Sequence, residues 1–223
     1  MTYGLQVKNS SGNIIIDGQY KNYAEWATGT TTLGAYVTTI SFTATDKMPL
    51  VALRPATNKA VVLWGLRKTG SNYDGFYVIG SNGDSLDWKV YTAHPVASSE
   101  TYGLRSYGST GDLLFDSGYK YFSIFQINTG ISLSNPAGGT LDYEDISHGS
   151  ISDPYYFLSP LGFWVFSTDI MLPRGPLFIW RSCIIKLSAT SVRVTWGRIF
   201  TGLTSGIAYA EGWNPSLNLM VLK

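Results

Sequence analysis

One fifteen-residue phrase occurs twice in this chain, and the repeat limits the possible folds more than any other feature. The first copy, YGLQVKNSSGNIIID, begins at Tyr3, and the second, YGLRSYGSTGDLLFD, begins at Tyr102. With an offset of 99, residues 2–23 align with the second copy without a gap. Self-similarity at a fixed offset is the signature of an internal repeat. We therefore predict a duplication, with one unit at about 1–100 and the other at about 101–223.

Each copy of the phrase predicts a strand, a turn and a second strand. The turn falls on NSSG and GSTG, where Asn, Ser and Gly tolerate tight backbone angles and Gly12 or Gly111 supplies a positive φ. An apolar triplet and an aspartate follow, at Ile14–Asp17 and Leu113–Asp116. The phrase is therefore predicted to be a β-hairpin that serves as scaffold, and not a catalytic motif.

A second echo lies further along the chain. TDKMPLVALR, which begins at Thr45, matches the spacing of Thr-Asp-x-Met and Pro-Leu-x-x-x-Arg in TDIMLPRGPLFIWR, which begins at Thr168. Here the offset grows from 99 to 123 and then to 127. This growth predicts an insertion of about two dozen residues in the second unit, mostly between Asn128 and Phe166.

The remaining segments predict an all-β fold of two related, β-sandwich-like units or small barrels. Short β-branched and aromatic runs alternate with turns, and no stretch has helical periodicity over ten residues. GFYVIG and LDWKVYTA, joined by SNGDS, predict a further hairpin in which Leu86, Trp88 and Val90 share one face. The segment SVRVTWGRIF alternates in the same way, with Val192, Val194 and Trp196 predicted to share one face.

Charge and composition exclude some classes of partner. Charged residues make up 14% of the chain and the net charge is +1, with no basic run, so neither nucleic acid nor an anionic membrane surface is an expected partner. A chain poor in charge and rich in Tyr, Thr and Gly favours strands. This composition is typical of a protein whose surface is partly buried in an assembly, and also of a compact β protein with many half-buried tyrosines.

The single cysteine and the apolar pattern bear on the cellular compartment. Cys183 lies in an apolar run and is predicted to be a buried small hydrophobe, with no disulfide and no thiolate zinc site. No apolar run approaches the length of about 20 residues that a membrane helix needs. Because no leader pattern is visible either, we expect folding in a cytoplasm and no membrane insertion.

The sequence contains no recognisable catalytic motif. The two histidines, His94 and His148, have no metal-ligand partner at a usable spacing and belong to no nucleophile motif, so both are predicted to lie at the surface or in loops. No phosphate-binding loop or dinucleotide fingerprint is present, because the Gly-rich GSNGDS joins two strands and not a strand and a helix. We expect no enzyme activity, no metal and no cofactor.

One acidic cluster marks the candidate contact site. It lies in the polar, Gly/Ser-rich segment 128–154, which is predicted to be a loop present in the second unit alone, and long loops in compact domains are often functional. Paired carboxylates can bind Ca²⁺ or catalyse glycoside hydrolysis, but their spacing here fits no calcium-binding motif. We therefore favour a solvated loop that contacts a partner. The candidate contact residues are Asp142, Tyr143, Glu144, Asp145 and His148, with Asp153 also in the cluster.

The repeated hairpin resembles a known group of proteins. Small tail-associated virion proteins of bacteriophages begin with a similar pattern: Tyr-Gly-Leu near the N-terminus, then a Ser/Gly turn, an apolar triplet and Asp. Both copies of the phrase resemble this pattern. The resemblance covers about 15–20 residues in each copy. It implies a structural component of the tail tip, baseplate or fibre, assembled in the host cytoplasm and present in several copies around the tail axis, such as a trimer or a hexamer.

The functional expectation follows from this resemblance and from the lack of catalytic motifs. The first unit is expected to attach to other tail proteins, and the second to present its loop to another subunit or to the host surface. One alternative is a receptor- or carbohydrate-binding module that uses exposed Tyr and Trp side chains. Another is a glycan hydrolase that uses Asp142, Glu144 or Asp145, which is less favoured because flexible loops hold catalytic carboxylates poorly.

Overall fold

A computed structural model describes most of the chain. The described residues are 6–8, 14–17, 22–35, 37–93, 96–133, 142–149, 151, 153–159, 163–167, 175–204, 210–213 and 217–222. For residues 6–8, 14–17, 163–167, 175–181, 197–204 and 210–213 the description is limited to the backbone. His94 lies outside the described residues.

The described residues form eighteen strands and no helix, which confirms the predicted all-β class. In the first half of the chain the strands are β1 Gln6–Lys8, β2 Ile14–Asp17, β3 Tyr23–Thr32, β4 Val37–Thr45, β5 Leu50–Pro55, β6 Ala60–Thr69, β7 Asn72–Gly80 and β8 Ser85–Ala93. In the second half they are β9 Arg105–Tyr107, β10 Leu113–Asp116, β11 Ile124–Ile131, β12 Tyr143–Ser147, β13 Tyr155–Ser159, β14 Phe163–Ser167, β15 Gly175–Lys186, β16 Ser191–Thr204, β17 Ala210–Trp213 and β18 Leu217–Leu222.

Two large antiparallel sheets and two small hairpins contain these strands. The six-stranded sheet has the order β11-β18-β13-β5-β8-β3. The eight-stranded sheet has the order β12-β16-β15-β6-β7-β4, with β14 paired to β15 and β17 paired to β14. The hairpins are β1-β2 and β9-β10.

Side chains from both large sheets meet in one core, as in a sandwich. Phe76 of β7 and Trp88 of β8 come from different sheets and pack edge to face, with ring centroids 5.7 Å apart. The predicted alternation in β8 is confirmed, because its apolar residues point into this core whereas Asp87 and Lys89 form ion pairs on the outer face. The alternate residues of β16 that were predicted to share a face are Val192, Val194 and Trp196, and all three lie in the core.

Both copies of the repeated phrase fold as the predicted hairpins. Gln6 pairs with Asp17 in the first hairpin, and Arg105 pairs with Asp116 in the second. Gly111, in the second turn, has a φ of +83°, the positive value that the sequence led us to expect. Gly111 therefore serves the turn between β9 and β10.

The other predicted hairpin is wrong. Strands β7 and β8 do occur where the sequence predicts them, but β7 belongs to the eight-stranded sheet and β8 to the six-stranded sheet. The SNGDS segment therefore crosses between the sheets, and β7 pairs instead with β6 through the turn at Gly70 and Ser71. A hairpin within one sheet and a crossover between two packed sheets have the same strand–turn–strand sequence pattern. In both cases alternate side chains of the two strands face the same core.

The two halves contribute equally placed strands to both sheets. In the six-stranded sheet, β3, β8 and β5 mirror β11, β18 and β13, and in the eight-stranded sheet β4, β7 and β6 mirror β12, β16 and β15. The edge strands share a detail at the offset of 99: a bulge lies between Glu25 and Ala27 in β3 and between Ile124 and Gln126 in β11. The duplication stays a prediction, to which the structure adds a matching order of strands.

Equivalent residues of the two halves also meet each other. Tyr23 and Phe122 are 99 positions apart, and the N–H of Phe122 donates to the carbonyl of Tyr23 at 2.9 Å. Next to this bond, Ala24 forms an antiparallel bridge with Tyr121. Both halves thus contribute strands to each large sheet, and the boundary near residue 100 does not separate two sheets.

The second echo in the sequence does not correspond to equivalent strands. PLVALR forms β5 in the six-stranded sheet, whereas PLFIWR lies in β15 of the eight-stranded sheet. The strand order instead makes β13 the counterpart of β5. Within the described residues, β14 and β17 are the strands of the second half that have no counterpart in the first. The expected loop at 128–154 contains the end of β11 and all of β12.

Candidate functional site

Three of the predicted contact residues lie on a strand and not in a loop. Tyr143, Glu144 and Asp145 are exposed residues of β12, which forms an edge of the eight-stranded sheet and pairs with β16. Asp142 lies directly before this strand, and its carbonyl accepts a hydrogen bond from the Thr195 hydroxyl at 2.7 Å. The sequence suggested a loop here because the residues are polar, and an exposed edge strand explains that polarity equally well.

Arg193 on the neighbouring strand organises this surface. Its Nε and Nη2 donate to Asp145 at 2.6 and 2.8 Å, and its guanidinium lies 3.9 Å from the centre of the Tyr143 ring. The hydrogen bond from Arg193 lowers the pKa of Asp145 below its ordinary value, so this carboxylate is ionised and engaged. The arrangement is a cross-strand brace, and in the described part of the chain no group of three or more His, Cys, Asp and Glu could hold a metal ion.

His148 lies in the connection directly after β12, within the predicted surface or loop position, but its side chain is buried, contrary to its prediction as a contact residue. Its side chain is 1% exposed, and its Nε2 lies 2.8 Å from the hydroxyl of Tyr156. Its Nδ1 is buried and has no hydrogen-bond partner among the described residues. Burial lowers the pKa of His148, and the nearby ammonium of Lys186 lowers it further, so the ring is neutral at pH 7. His148 is therefore unavailable for surface contact.

Asp153 belongs to a polar cleft that the sequence did not indicate. Its carboxylate pairs with Lys186 at the end of β15, and its carbonyl accepts from Arg54 Nη1 at 2.9 Å. Arg54 also pairs with Asp87 through Nε and Nη2, at 3.1 and 2.8 Å. These side chains line a cavity of about 250 Å³, together with Pro55, Ala56, Thr57 and Ser85. The four charged residues lie far apart in sequence, so no local motif marks them.

A second surface that the sequence analysis missed is the outer edge of β11. Ile124, Phe125 and Ile127 are 44–49% exposed, and this strand contains no charged residue. Among the described strands, β11 pairs with β18 alone. Large apolar side chains that remain half exposed on one edge are typical of a surface that a partner covers.

The equivalent edge of the first half is polar at two of these three positions, whereas Phe125 corresponds to Trp26. At the offset of 99, Ile124 corresponds to Glu25, which pairs with Lys89 at 3.0 Å, and Ile127 corresponds to the exposed Thr28. Extending the alignment of the repeat by a few residues would have revealed this contrast. The bulges in β3 and β11 lie at positions 99 residues apart, so the residue-by-residue comparison of the two strands agrees with their pairing.

The single cysteine, Cys183, is chemically unreactive. Cys183 is buried and free, as predicted, and burial raises the pKa of its thiol to about 12. The thiol is therefore protonated and poorly nucleophilic. In the described residues no helix with the length and apolarity of a membrane span occurs.

Comparisons with known proteins give no further guidance. Neither a protein-family model, nor a curated protein, nor a solved structure matches the chain significantly.

Proposed function

We propose that this protein is a non-enzymatic structural component that acts through contacts with other protein chains. The observation that carries the proposal is the apolar edge of β11, where Ile124, Phe125 and Ile127 stand half exposed. The first-half equivalents of Ile124 and Ile127 are the polar Glu25 and Thr28, whereas that of Phe125 is Trp26. Two related edges in one chain share backbone geometry and differ in polarity. A difference of this kind points to a contact that only the second half makes.

Burial of this edge would supply useful binding energy. Complete burial of a large apolar side chain stabilises by about 1.5–3 kcal/mol, so covering the exposed half of each of these three contributes roughly 1 kcal/mol. We expect the contact to be made by side chains and not by strand addition, because bulges interrupt β11 at both ends and bulged edges resist pairing. An uncharged strand also suits contact between identical copies, since no like charges would meet.

The setting we propose for this role is the tail of a bacteriophage. The support is the resemblance of the Tyr-Gly-Leu hairpins to tail-associated virion proteins, together with a low content of charged residues. In this proposal the protein is assembled in the host cytoplasm, the first half docks on tail proteins, and the edge of β11 joins copies of the chain around the tail axis.

The mass of the purified protein in solution tests the proposal. We expect the wild-type protein to form an oligomer of its 24.5 kDa chain when measured by light scattering across a concentration series. The double substitution Ile124→Glu and Ile127→Thr gives β11 the residues that β3 carries at these positions. It is expected to shift the mass to that of a monomer while the circular dichroism spectrum stays that of the wild-type fold. The unfolding temperature falls only by what the lost association contributed.

Val37 provides a matched control. It is 47% exposed on β4, an edge strand of the other sheet. Val37→Thr removes a comparable exposed apolar group and should leave the mass unchanged. A wild-type protein that is monomeric at every concentration, or a double variant with the wild-type mass, would contradict the proposed contact.

A further inference from the structure

We propose that the polar cleft formed by Arg54, Asp87, Asp153 and Lys186 is a binding site for a small, neutral, polyhydroxylated molecule such as a single sugar ring. The cleft is independent of the β11 edge, and its four charged residues come from both halves of the chain. Arg54 and Asp87 belong to β5 and β8, Asp153 precedes β13, and Lys186 ends β15.

The cleft is a formed site, and not a chance group of surface charges. Lys186 shares the inward face of β15 with Ile184, and its side chain is only 9% exposed. The backbone closes around it, because its carbonyl accepts from the N–H of Asn58 at 2.6 Å. Asn58 and Asp153 are the non-glycine residues with positive φ among those described, at 59° and 53°, and both flank the cleft. Strained backbone of this kind is often found at binding sites.

The charges within the cleft balance. Two cations face two anions, and each is paired: Arg54 with Asp87, and Lys186 with Asp153. Partial burial raises the pKa of Asp87, but hydrogen bonds from Thr30 and Arg54 bring it below its ordinary value. The hydrogen bond from Lys186 lowers the pKa of Asp153. Both carboxylates are thus ionised, and the cleft has no net charge to attract an ion.

This balance identifies the chemical class of ligand. A phosphate or an amino acid would have to separate the existing pairs and leave a partly buried charge without its partner, which is costly. A hydroxyl group both donates and accepts, so it can bond a carboxylate and a cation without separating them. Among the described residues Asp153 is the acceptor for the Lys186 ammonium, which leaves two of its three N–H groups for such hydroxyls.

Size and rim chemistry agree with one sugar ring. The cavity of about 250 Å³ is just below the ~300 Å³ at the lower end of pockets for drug-sized ligands. Thr57 and Ser85 add exposed hydroxyl groups at the rim. Arg54 also lies 4.5 Å from the centre of the Tyr155 ring, which helps to hold the guanidinium in place.

Saturation-transfer NMR on the full-length protein tests this site. The probes are D-glucose, D-galactose, N-acetyl-D-glucosamine and L-rhamnose, with glycine and inorganic phosphate as the other two ligand classes. We expect at least one sugar to bind, and binding to weaken at least tenfold in Asp87→Ala and in Lys186→Met. Circular dichroism establishes that both variants are folded.

A second ion pair provides the control. Arg67 and Asp74 form a pair at 2.8 Å with exposure similar to that of Arg54 and Asp87, but they do not line the cleft. Asp74→Ala should therefore bind the sugar as the wild-type protein does. The proposal is overturned if no sugar binds, if glycine or phosphate binds in place of sugar, or if Asp74→Ala weakens binding as much as Asp87→Ala.

Discussion

Asp116 ends the second copy of the repeated phrase, and its side chain is 2% exposed. Its carboxylate accepts hydrogen bonds from the N–H groups of Ser98 and Gly118, at 2.8 and 2.9 Å, and pairs with Arg105 at 2.9 Å. Burial alone would raise the pKa of Asp116, but these hydrogen bonds lower it to about 2. The aspartate thus ties the hairpin to the segment that precedes it.

Loss of this carboxylate should loosen the hairpin. Asp116→Ala leaves two backbone N–H groups, the Ser98 hydroxyl and Arg105 Nε without their acceptor. We expect it to lower the free energy of unfolding by about 2–3 kcal/mol. Urea unfolding measures the effect. Asp112→Ala, an exposed position in the same hairpin, should change stability by no more than about 0.5 kcal/mol. Equal effects of the two substitutions would show that the Asp116 network contributes nothing.

His148 makes stability depend on pH. Its folded-state pKa is lowered by burial and by Lys186, so the unfolded chain binds a proton more readily than the folded one. The contribution to stability is complete above the unfolded pKa of about 6.5. It is lost as the pH falls from there through the folded pKa. Urea unfolding between pH 7.5 and pH 5 should show this loss.

The substitution His148→Gln isolates this effect. Glutamine keeps a polar group near the Tyr156 hydroxyl but does not titrate, so the variant should lose less stability than the wild-type protein over the same pH range. If the two proteins lose the same amount, protonation of His148 does not control the pH dependence. The sequence analysis predicted a surface or loop position for His148, because no local pattern indicates its contact with Tyr156, eight residues along the chain, or with the more distant Lys186.

At the scale of the strands, β5 joins the two halves. Leu53 pairs with Tyr156 of β13, and both side chains are buried in the shared core. Leu53→Ala should therefore destabilise the whole molecule by about 2–5 kcal/mol, the usual cost of such a cavity. Ala substitution of Leu50, half-buried on the opposite face of the same strand, should cost less. Thermal or urea unfolding ranks the two, and the reverse order would contradict this account of the core.

The strands were more predictable from the sequence than their partners were. Alternation identified β8 and β16 and the faces that they bury, because burial on one side of a strand has a period of two. The same alternation could not show that β7 and β8 lie in different sheets. The apolar edge of β11 was within reach of sequence comparison, since Ile127 stands against Thr28 in the repeat, whereas the cleft around Lys186 depends on tertiary contacts.

At the scale of the whole molecule, the two halves share both sheets and one core. This sharing could not be derived from the repeat, because a repeated sequence specifies similar units but not how they pack. It has a thermodynamic consequence: calorimetry of the monomeric double variant Ile124→Glu, Ile127→Thr should show a single unfolding transition with equal calorimetric and van't Hoff enthalpies. Two separate transitions would mean that the halves behave as independent domains.

The central claim is that copies of this chain meet at the edge of β11, and site-specific photo-cross-linking tests it most directly. Phe125, 49% exposed on that edge, would be replaced with p-benzoyl-phenylalanine and the purified protein irradiated. Val37 would carry the same group in a control. The proposed contact predicts a covalent dimer from position 125 and none from position 37. No dimer from position 125, or equal dimer from both positions, would contradict it.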